Sequence, residues 1–175
     1  ELILIRHGTT QALEKRFIGT LDVPLLPQGE ELARRVGHLP GVEHIYRSPS
    51  GGAPDGGLLW PGVPMTVVDE LRESDFGPFE GKNHEELKDD LYQAWIGMGE
   101  HPDFANMPVG ESAQQVTDGC PGGWEGGGGR AARGCERVGV VSRRRGLMSL
   151  LTKYGRPERA YYGWMCPNCG GFRQS

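Results

Sequence analysis

Two cationic side chains directly follow an apolar run at the start of the chain. Arg6 and His7 come after the letters LILI at residues 2–5, and Gly8 comes next. A guanidinium presents a planar set of N–H donors that matches phosphate oxygens, and a neutral imidazole is a nucleophile toward phosphorus. Glycine lets backbone N–H groups approach an anion closely. These residue types predict a phosphoryl site, with a merely capped strand end as the alternative.

The elements that must position these residues alternate between strand and helix. Continuous apolar runs, typical of buried parallel strands, lie at residues 2–5 and 138–141. Further strands are predicted at residues 42–46 and 65–68, and helices at residues 27–39, 85–98 and 146–154. The pattern predicts an α/β fold, a single three-layer domain over residues 1–175 with a mostly parallel sheet and helices on both faces. In such a sheet ligands bind beyond the carboxyl ends of the strands, where His7 lies.

Composition limits the classes of function. The chain has 175 residues with 19 Lys+Arg and 23 Asp+Glu, a formal net charge of −4, which does not favour a nucleic-acid partner. No apolar run approaches the ~20 residues that span a bilayer and no signal peptide is recognisable, so we expect a cytoplasmic protein without a membrane partner.

Cys166 and Cys169 have the spacing of half a zinc site, but Cys120 and Cys135 form no second close pair. We therefore expect no metal and no cofactor.

A glycine-rich tract interrupts this pattern. Eight glycines lie between Gly119 and Gly134, four of them consecutive at residues 126–129. Because a glycine inside a helix costs about 1 kcal/mol relative to alanine, we expect a loop there. A flexible surface insertion is one interpretation, and glycine written in place of unassigned residues is the other. The same two interpretations apply to the glycine pairs at 51–52 and 56–57.

A longer series of motifs resembles a known family. The motifs are IRHGTT at 5–10, RFIG at 16–19, DVPL at 22–25, LRESDFGPFEG at 71–81, PVGES at 108–112 and VVS at 140–142. In this order they resemble the histidine phosphatase superfamily, also called the phosphoglycerate mutase-like family, over nearly the whole chain apart from the glycine tract. The resemblance implies the phosphoglycerate mutase-like fold and a reaction through a phosphohistidine, without a metal.

The resemblance also implies roles for individual residues. His7 would be the nucleophile, Arg6 would hold the phosphoryl oxygens, and Glu73 would protonate the leaving oxygen and then activate water. The same resemblance gives a set of residues that would bind or border the substrate, namely Gly8, Arg16, Gly19, Glu111, Ser112 and Arg143. For Glu111 and Ser112, plain N-capping of a helix is the alternative.

Two of the departures from the family's pattern concern donors to the phosphoryl oxygens. Gly52 stands where a second arginine is expected, and Arg143 stands where a second histidine is expected. Each donor of this kind is typically worth about 2.7 to 4 kcal/mol in the transition state. Arg143 would supply the charge of a histidine, but we expect its longer side chain to crowd a pocket shaped for an imidazole and two glycines. The chain is therefore either an impaired member that binds phosphorylated ligands, or an active enzyme whose natural residues differ from the glycine and arginine runs.

The implied activity is hydrolysis of a phosphomonoester, a small phosphorylated metabolite. Residues 71–81 and the helix predicted at 85–98 look most like those of small α-ribazole phosphatases of cobalamin synthesis, so α-ribazole 5′-phosphate is the first substrate to expect. Phosphoglycerate mutase-type transfer is one alternative. A non-catalytic module that binds an anion through Arg6 and residues 143–145 is the other. A homodimer is the expected assembly, since dimers are common for this fold.

Overall fold

Strands and helices alternate along the described part of the chain. The computed structural model describes residues 1–10, 16–21, 23–36, 39–49, 57–83, 85–87, 93, 110–119, 133–154, 167 and 169–174. The elements in chain order are β1 (Leu2–Arg6), α1 (Pro27–Val36), β2 (His44–Arg47), β3 (Met65–Val67), two 3₁₀ turns (Asp69–Leu71 and Gly77–Phe79), α2 (Ala113–Gly119), β4 (Val138–Ser142), α3 (Arg144–Tyr154) and β5 (Gly171–Gln174).

Five strands among the described residues form one sheet, in the order β3-β2-β4-β1-β5. β1 to β4 run parallel, and β5 runs antiparallel to β1 at the sheet edge. β1 and β4 pair along their whole length, from Leu2 opposite Val138 to Arg6 opposite Ser142. Their carboxyl ends therefore lie side by side in the middle of the sheet.

Alternate residues of the central strands face opposite sides of the sheet, and helices cover both sides. Residues of one parity pack with α3 in a buried cluster that contains Leu4, Tyr46, Val140 and Leu147. Residues of the other parity pack with α1 in a second cluster that contains Ile3, Ile5, Ile45, Val141 and Ala33. Apolar residues on both faces explain why the strands read as continuous apolar runs. The predicted α/β fold, with its mostly parallel sheet between two layers of helix, is confirmed.

Predicted and observed elements differ mainly at their ends. The strand expected at 42–46 begins at His44 and includes Arg47. The helix expected at 146–154 begins earlier, at Arg144, and the helix expected at 27–39 ends at Val36. Within the region of the helix expected at 85–98, residues 85–86 form a turn, and most of the remainder lies outside the described residues.

Two short elements were not predicted. β5 has the sequence GFRQ, which contains one apolar side chain and so shows no alternating pattern. α2 is seven residues long, too short for a recognisable helical period, and its last residue is the first glycine of the tract. At the other end of the tract Gly134 has a φ of +90°, and residues 120–132 lie outside the described chain.

Where the structure describes the chain, it contains no helix that combines the length and the apolar character needed to cross a bilayer.

In the same residues, no three His, Cys, Asp or Glu side chains are grouped as metal ligands would be. Cys120 and Cys166 lie outside these residues, so the geometry of the Cys166 and Cys169 pair is not described.

Gly139 of β4 has no space for a side chain, which gives a test of the packing on this face. A Cβ there would lie 2.7 Å from the ring of Trp60. The ring is 4% exposed, and its Nε1–H donates to the Leu39 carbonyl oxygen at 3.2 Å, so it is held in place. We expect Gly139→Ala to lower the free energy of unfolding by about 1 to 3 kcal/mol in urea denaturation.

Gly57 provides the matched control. It lies in helical backbone at residues 57–59, and a Cβ there meets nothing within 4 Å. Gly57→Ala should leave the free energy of unfolding unchanged or raise it by up to about 1 kcal/mol, because alanine is the better helix former. Equal losses of stability in the two variants would contradict the packing at Gly139.

Candidate active site

The candidate site begins where β1 and β4 end. The backbone N–H of His7 donates to the carbonyl oxygen of Ser142 at 3.1 Å, which continues the ladder of hydrogen bonds one residue beyond β1. On the other side of His7, the backbone N–H of Cys169 donates to the carbonyl oxygens of Arg6 and His7 at 3.0 and 3.2 Å. His7 is therefore fixed between two chain segments, next to Arg143, the residue that follows β4.

The His7 imidazole is buried and neutral. It is 7% exposed, and its Nδ1 lies 2.7 Å from the carbonyl oxygen of Gly8. Because a carbonyl oxygen accepts hydrogen bonds, this contact assigns the proton to Nδ1 and leaves the lone pair on Nε2. Burial, followed by the charge of Arg143 and then those of Arg6 and Arg144, lowers the pKa of His7 to about 4. At neutral pH His7 thus has the form required of a nucleophile.

Two glycines bring the loop after β1 against α1. A Cβ on Gly8 would lie 2.9 Å from the carbonyl oxygen of Gly29, and a Cβ on Gly29 would lie 2.3 Å from that of Thr9. The predicted close approach of the backbone at Gly8 is thus an approach to α1. The carbonyl oxygen of Gly8 also orients the His7 ring through its contact with Nδ1.

Glu73 is attached to the start of α3. The side chain is 5% exposed, its Oε1 accepts from the backbone N–H of Ser74 at 3.0 Å, and its Oε2 accepts from that of Arg145 at 3.3 Å. These two hydrogen bonds fix the side chain against the start of α3. The guanidinium of Arg145 lies over the ring of Phe76, 4.5 Å from its centroid, which ties the same turn to the loop after Glu73.

Residues 142–145, which we call the β4–α3 junction, bring the predicted catalytic residues together. Ser142 accepts from the His7 backbone through its carbonyl oxygen, and its Oγ donates to the carbonyl oxygen of Leu71 at 2.7 Å. The backbone of Arg145 donates to Glu73. His7 and Glu73 are thus anchored on one four-residue stretch, although they are far apart in sequence.

Arg143 connects the β4–α3 junction to a loop at residues 16–21. The residue is 3% exposed, and its two terminal nitrogens donate to the carbonyl oxygens of Ile18 at 3.2 Å and Leu21 at 3.1 Å. Its charge is close enough to His7 to lower the pKa of that ring. The structure therefore places Arg143 near His7 and also gives it a structural contact that the sequence did not predict.

Loop 16–21 is also held by a carboxylate. Glu80 accepts from the backbone N–H groups of Gly19 at 3.1 Å, Thr20 at 2.9 Å and Phe76 at 3.2 Å. A Cβ on Gly19 would lie 1.9 Å from the carbonyl oxygen of Ser74, so the loop packs directly on the segment that carries Glu73. Sequence reasoning did not single out Glu80, although it lies in the 71–81 motif.

Arg16 is engaged in holding two loops together. Its guanidinium donates to the carbonyl oxygen of Gly81 at 2.6 Å and forms an ion pair with Glu86, also at 2.6 Å. The arginine predicted to border the substrate thus connects loop 16–21 to residues 81–86.

Ser112 caps α2, as the alternative interpretation expects, whereas the Glu111 side chain binds the loop that contains Arg72 and Asp75. Glu111 accepts from the guanidinium of Arg72 at 2.7 and 2.5 Å and from the backbone N–H of Asp75 at 3.0 Å. Ser112 Oγ accepts from the backbone N–H of Gln115 at 3.2 Å, and the Gln115 side chain accepts from that of Ser112 at 2.9 Å. This reciprocal pair is a capping box. Gly52, at the second departure from the family pattern, lies outside the described residues.

Comparison with known proteins assigns the family. The family model of the histidine phosphatase superfamily (branch 1) matches residues 2–170. The chain therefore belongs to the histidine phosphatase superfamily, in agreement with its motifs.

The individual proteins that this chain resembles share a quarter to a third of its residues over the aligned regions. The chain is 33% identical over 112 residues to a 2,3-bisphosphoglycerate-dependent phosphoglycerate mutase of Thermobifida fusca, which covers 54% of this chain and 44% of that protein. It is similar to a structure from Escherichia coli K-12 described as a "putative alpha-ribazole-5'-P phosphatase", with 25% identity, a TM-score of 0.73 and coverage of 93% and 83%. The alpha-ribazole phosphatase of Shigella flexneri shares the fold, at 24% identity, a TM-score of 0.79 and coverage of 97% and 87%. The chain spans about half the length of the curated relatives it matches.

The lowered pKa of His7 predicts a pH dependence of stability. Since the pKa of His7 is about 4 in the folded chain and near 6.5 when unfolded, its neutral form contributes stability that is complete above pH 6.5 and is lost as the pH falls through 4. Between pH 7 and about pH 4.5 the unaltered protein should lose about 2 to 3 kcal/mol more unfolding free energy than His7→Asn. Urea denaturation of both proteins at both pH values measures this difference, and parallel losses would contradict it.

Proposed function

We propose that this protein is a phosphomonoester hydrolase that uses His7 as its nucleophile. One observation carries the proposal, namely that a buried neutral imidazole, with its lone pair on Nε2, lies within the field of Arg143, Arg6 and Arg144. Those charges attract a phosphate dianion and stabilise the negative oxygens of the transferring phosphoryl group. Membership of the histidine phosphatase superfamily supports the same chemistry.

The reaction has two steps. In the first, Nε2 of His7 attacks phosphorus, the bond from phosphorus to the ester oxygen breaks, and a protonated Glu73 gives its proton to the departing alcohol. In the second, the Glu73 carboxylate takes a proton from water, whose oxygen attacks the phosphohistidine and releases inorganic phosphate. His7 is then neutral again. The shared attachment of His7 and Glu73 to the β4–α3 junction supports this division of roles.

Arg6, Arg143 and the backbone at Gly8 are the groups proposed to contact the phosphoryl oxygens. Arg16, Glu111 and Ser112 are engaged in ion pairs and in the helix cap described above, so we propose that they shape the rim by holding its loops. The backbone of Gly19 forms part of the same rim, where its N–H donates to Glu80.

A small phosphorylated metabolite is the proposed substrate class, with α-ribazole 5′-phosphate as its first member to test. The likeness to the Escherichia coli structure named above supports this choice. The Thermobifida fusca relative favours a second candidate, phosphoryl transfer on phosphoglycerate. Phosphorus NMR with 3-phosphoglycerate separates the two, because a hydrolase releases inorganic phosphate and a mutase forms 2-phosphoglycerate.

Loss of the nucleophile tests the proposal directly. With p-nitrophenyl phosphate at neutral pH, His7→Asn should reduce kcat by about 10³-fold or more, and the acid-labile phosphoenzyme trapped from the unaltered protein should be absent. His44→Asn is the matched control. His44 is a buried histidine whose Nε2 contacts Thr66 Oγ1 at 2.9 Å at the start of β2.

The control should keep its activity and its phosphoenzyme. If the unaltered protein neither hydrolyses phosphate esters nor forms a phosphoenzyme, while inorganic phosphate still raises its Tm, then it is the anion-binding module and the proposed hydrolase is wrong.

The role of Glu73 predicts a dependence on the leaving group. Glu73→Gln should slow hydrolysis of an alkyl phosphate by about 10² to 10⁴-fold, because an alkoxide needs a proton to depart. With p-nitrophenyl phosphate the first step needs no acid, so we expect a burst of p-nitrophenol followed by slow turnover. Stopped-flow absorbance measures the burst, and Glu70→Gln, at an exposed carboxylate nearby, should behave as the unaltered protein. Equal rate losses with both substrates, without a burst, would contradict an acid role.

A further inference from the structure

His7 lies where β1 stops being an extended strand. In an extended strand the N–H and C=O groups of one residue point toward the same neighbouring strand. The His7 N–H donates to Ser142, on the β4 side of β1, whereas the His7 carbonyl oxygen accepts from Cys169, on the β5 side. The backbone therefore rotates at His7 itself.

The backbone N–H of Cys169 holds this rotation. It donates to the carbonyl oxygens of two successive residues, Arg6 at 3.0 Å and His7 at 3.2 Å. Successive carbonyl groups of an extended strand point in opposite directions, so one donor reaches both only after the chain has rotated. The shared hydrogen bond is thus specific to the rotated backbone, and it would be lost if the strand continued.

Cys169 adopts a backbone conformation that is rare for its residue type. Its φ of +52° lies in the left-handed region, and no other non-glycine residue of the described chain has a positive φ. This conformation is unfavourable for a residue with a Cβ. The Cys169 side chain is 7% exposed and belongs to the buried cluster that contains Ile3 and Ile5. Its burial offsets the unfavourable conformation and fixes the amide beside the end of β1.

The rotation also determines how the His7 ring is held. The carbonyl oxygen of Gly8 lies 2.7 Å from Nδ1 of His7, in the contact that leaves the lone pair on Nε2. This carbonyl belongs to the residue that follows the His7 carbonyl bound by Cys169. A change in the direction of the His7 carbonyl would therefore move the Gly8 carbonyl relative to the ring.

We propose that Cys169 is a positioning residue, whose left-handed backbone holds the rotation at His7 and thereby fixes the orientation and the tautomer of the imidazole. The thiol takes no part in the reaction. The proposal rests on the proposed function only in its effect on turnover, since the tautomer of His7 is measured without a substrate.

Two substitutions separate the backbone conformation of Cys169 from its packing. Glycine adopts the left-handed conformation freely but buries no side chain, so Cys169→Gly should lose stability in urea yet keep kcat for p-nitrophenyl phosphate within about threefold. Valine buries a side chain of similar size, but its branched Cβ disfavours this conformation. Cys169→Val should therefore lower kcat by about 10- to 100-fold, because the nucleophile is misplaced.

Val42→Ala is the control for stability. Val42 belongs to the same buried cluster but precedes β2, at the opposite end of the sheet from His7. This variant should lose stability and keep kcat. Equal losses of kcat in Cys169→Gly and Cys169→Val, or a similar loss in Val42→Ala, would overturn the proposal.

Nitrogen-15 NMR of the His7 ring measures its tautomer directly. The proton should lie on Nδ1 in the unaltered protein, in Cys169→Gly and in Val42→Ala, whereas Cys169→Val should show both tautomers in exchange. An unchanged tautomer in Cys169→Val would contradict the positioning role.

Hydrogen exchange of the unaltered protein gives a test that depends on no variant. The amide of Cys169 should exchange about 10²-fold or more slowly than an unstructured amide, because its N–H is shared between two carbonyl oxygens. An unprotected amide would refute the proposal. If the amide is protected, the tautomers are as expected and no phosphate ester is hydrolysed, then the positioning role stands and the proposed function alone is wrong.

Discussion

The parallel pairing of β1 with β4 is the constraint on which the site depends. It runs in register to the ends of both strands and continues through the hydrogen bond from the His7 backbone to Ser142. That bond fixes His7 beside the first residue after β4. The next turn holds Glu73 through the backbone of Arg145, so one short junction orients both proposed catalytic groups. A shift of register by one residue would turn alternate side chains to the other face and separate them.

Burial and charge act on His7 in the same direction. Removal from water disfavours the imidazolium, and the surrounding arginines disfavour it further, so the ring stays neutral at physiological pH. The same arginines attract a phosphate dianion. Arg143 thus supplies a positive charge near His7 while it also binds loop 16–21.

Several residues of the family motifs make structural contacts within the described chain. Arg16 pairs with Glu86, Glu111 pairs with Arg72, and Ser112 caps α2. These contacts join the loops at residues 16–21, 71–81 and 110–112 into one rim. Arg16 and Glu111 form partly exposed ion pairs there. Such a pair contributes little to stability when it is isolated and more when it belongs to a network. The family motifs thus specify contacts that shape the candidate site as well as the residues proposed to react.

The sequence by itself determined the layers of the fold and predicted His7 as the candidate nucleophile, because continuous apolar runs and the residues that follow them are local patterns. It did not show β5, whose four residues carry one apolar side chain, nor the role of Glu80. The two carbonyl contacts of Arg143 were decided by tertiary structure alone. They join residues separated by more than a hundred positions. Such contacts leave no local period in the chain, since their partners meet only when strand pairing has set the positions of the loops.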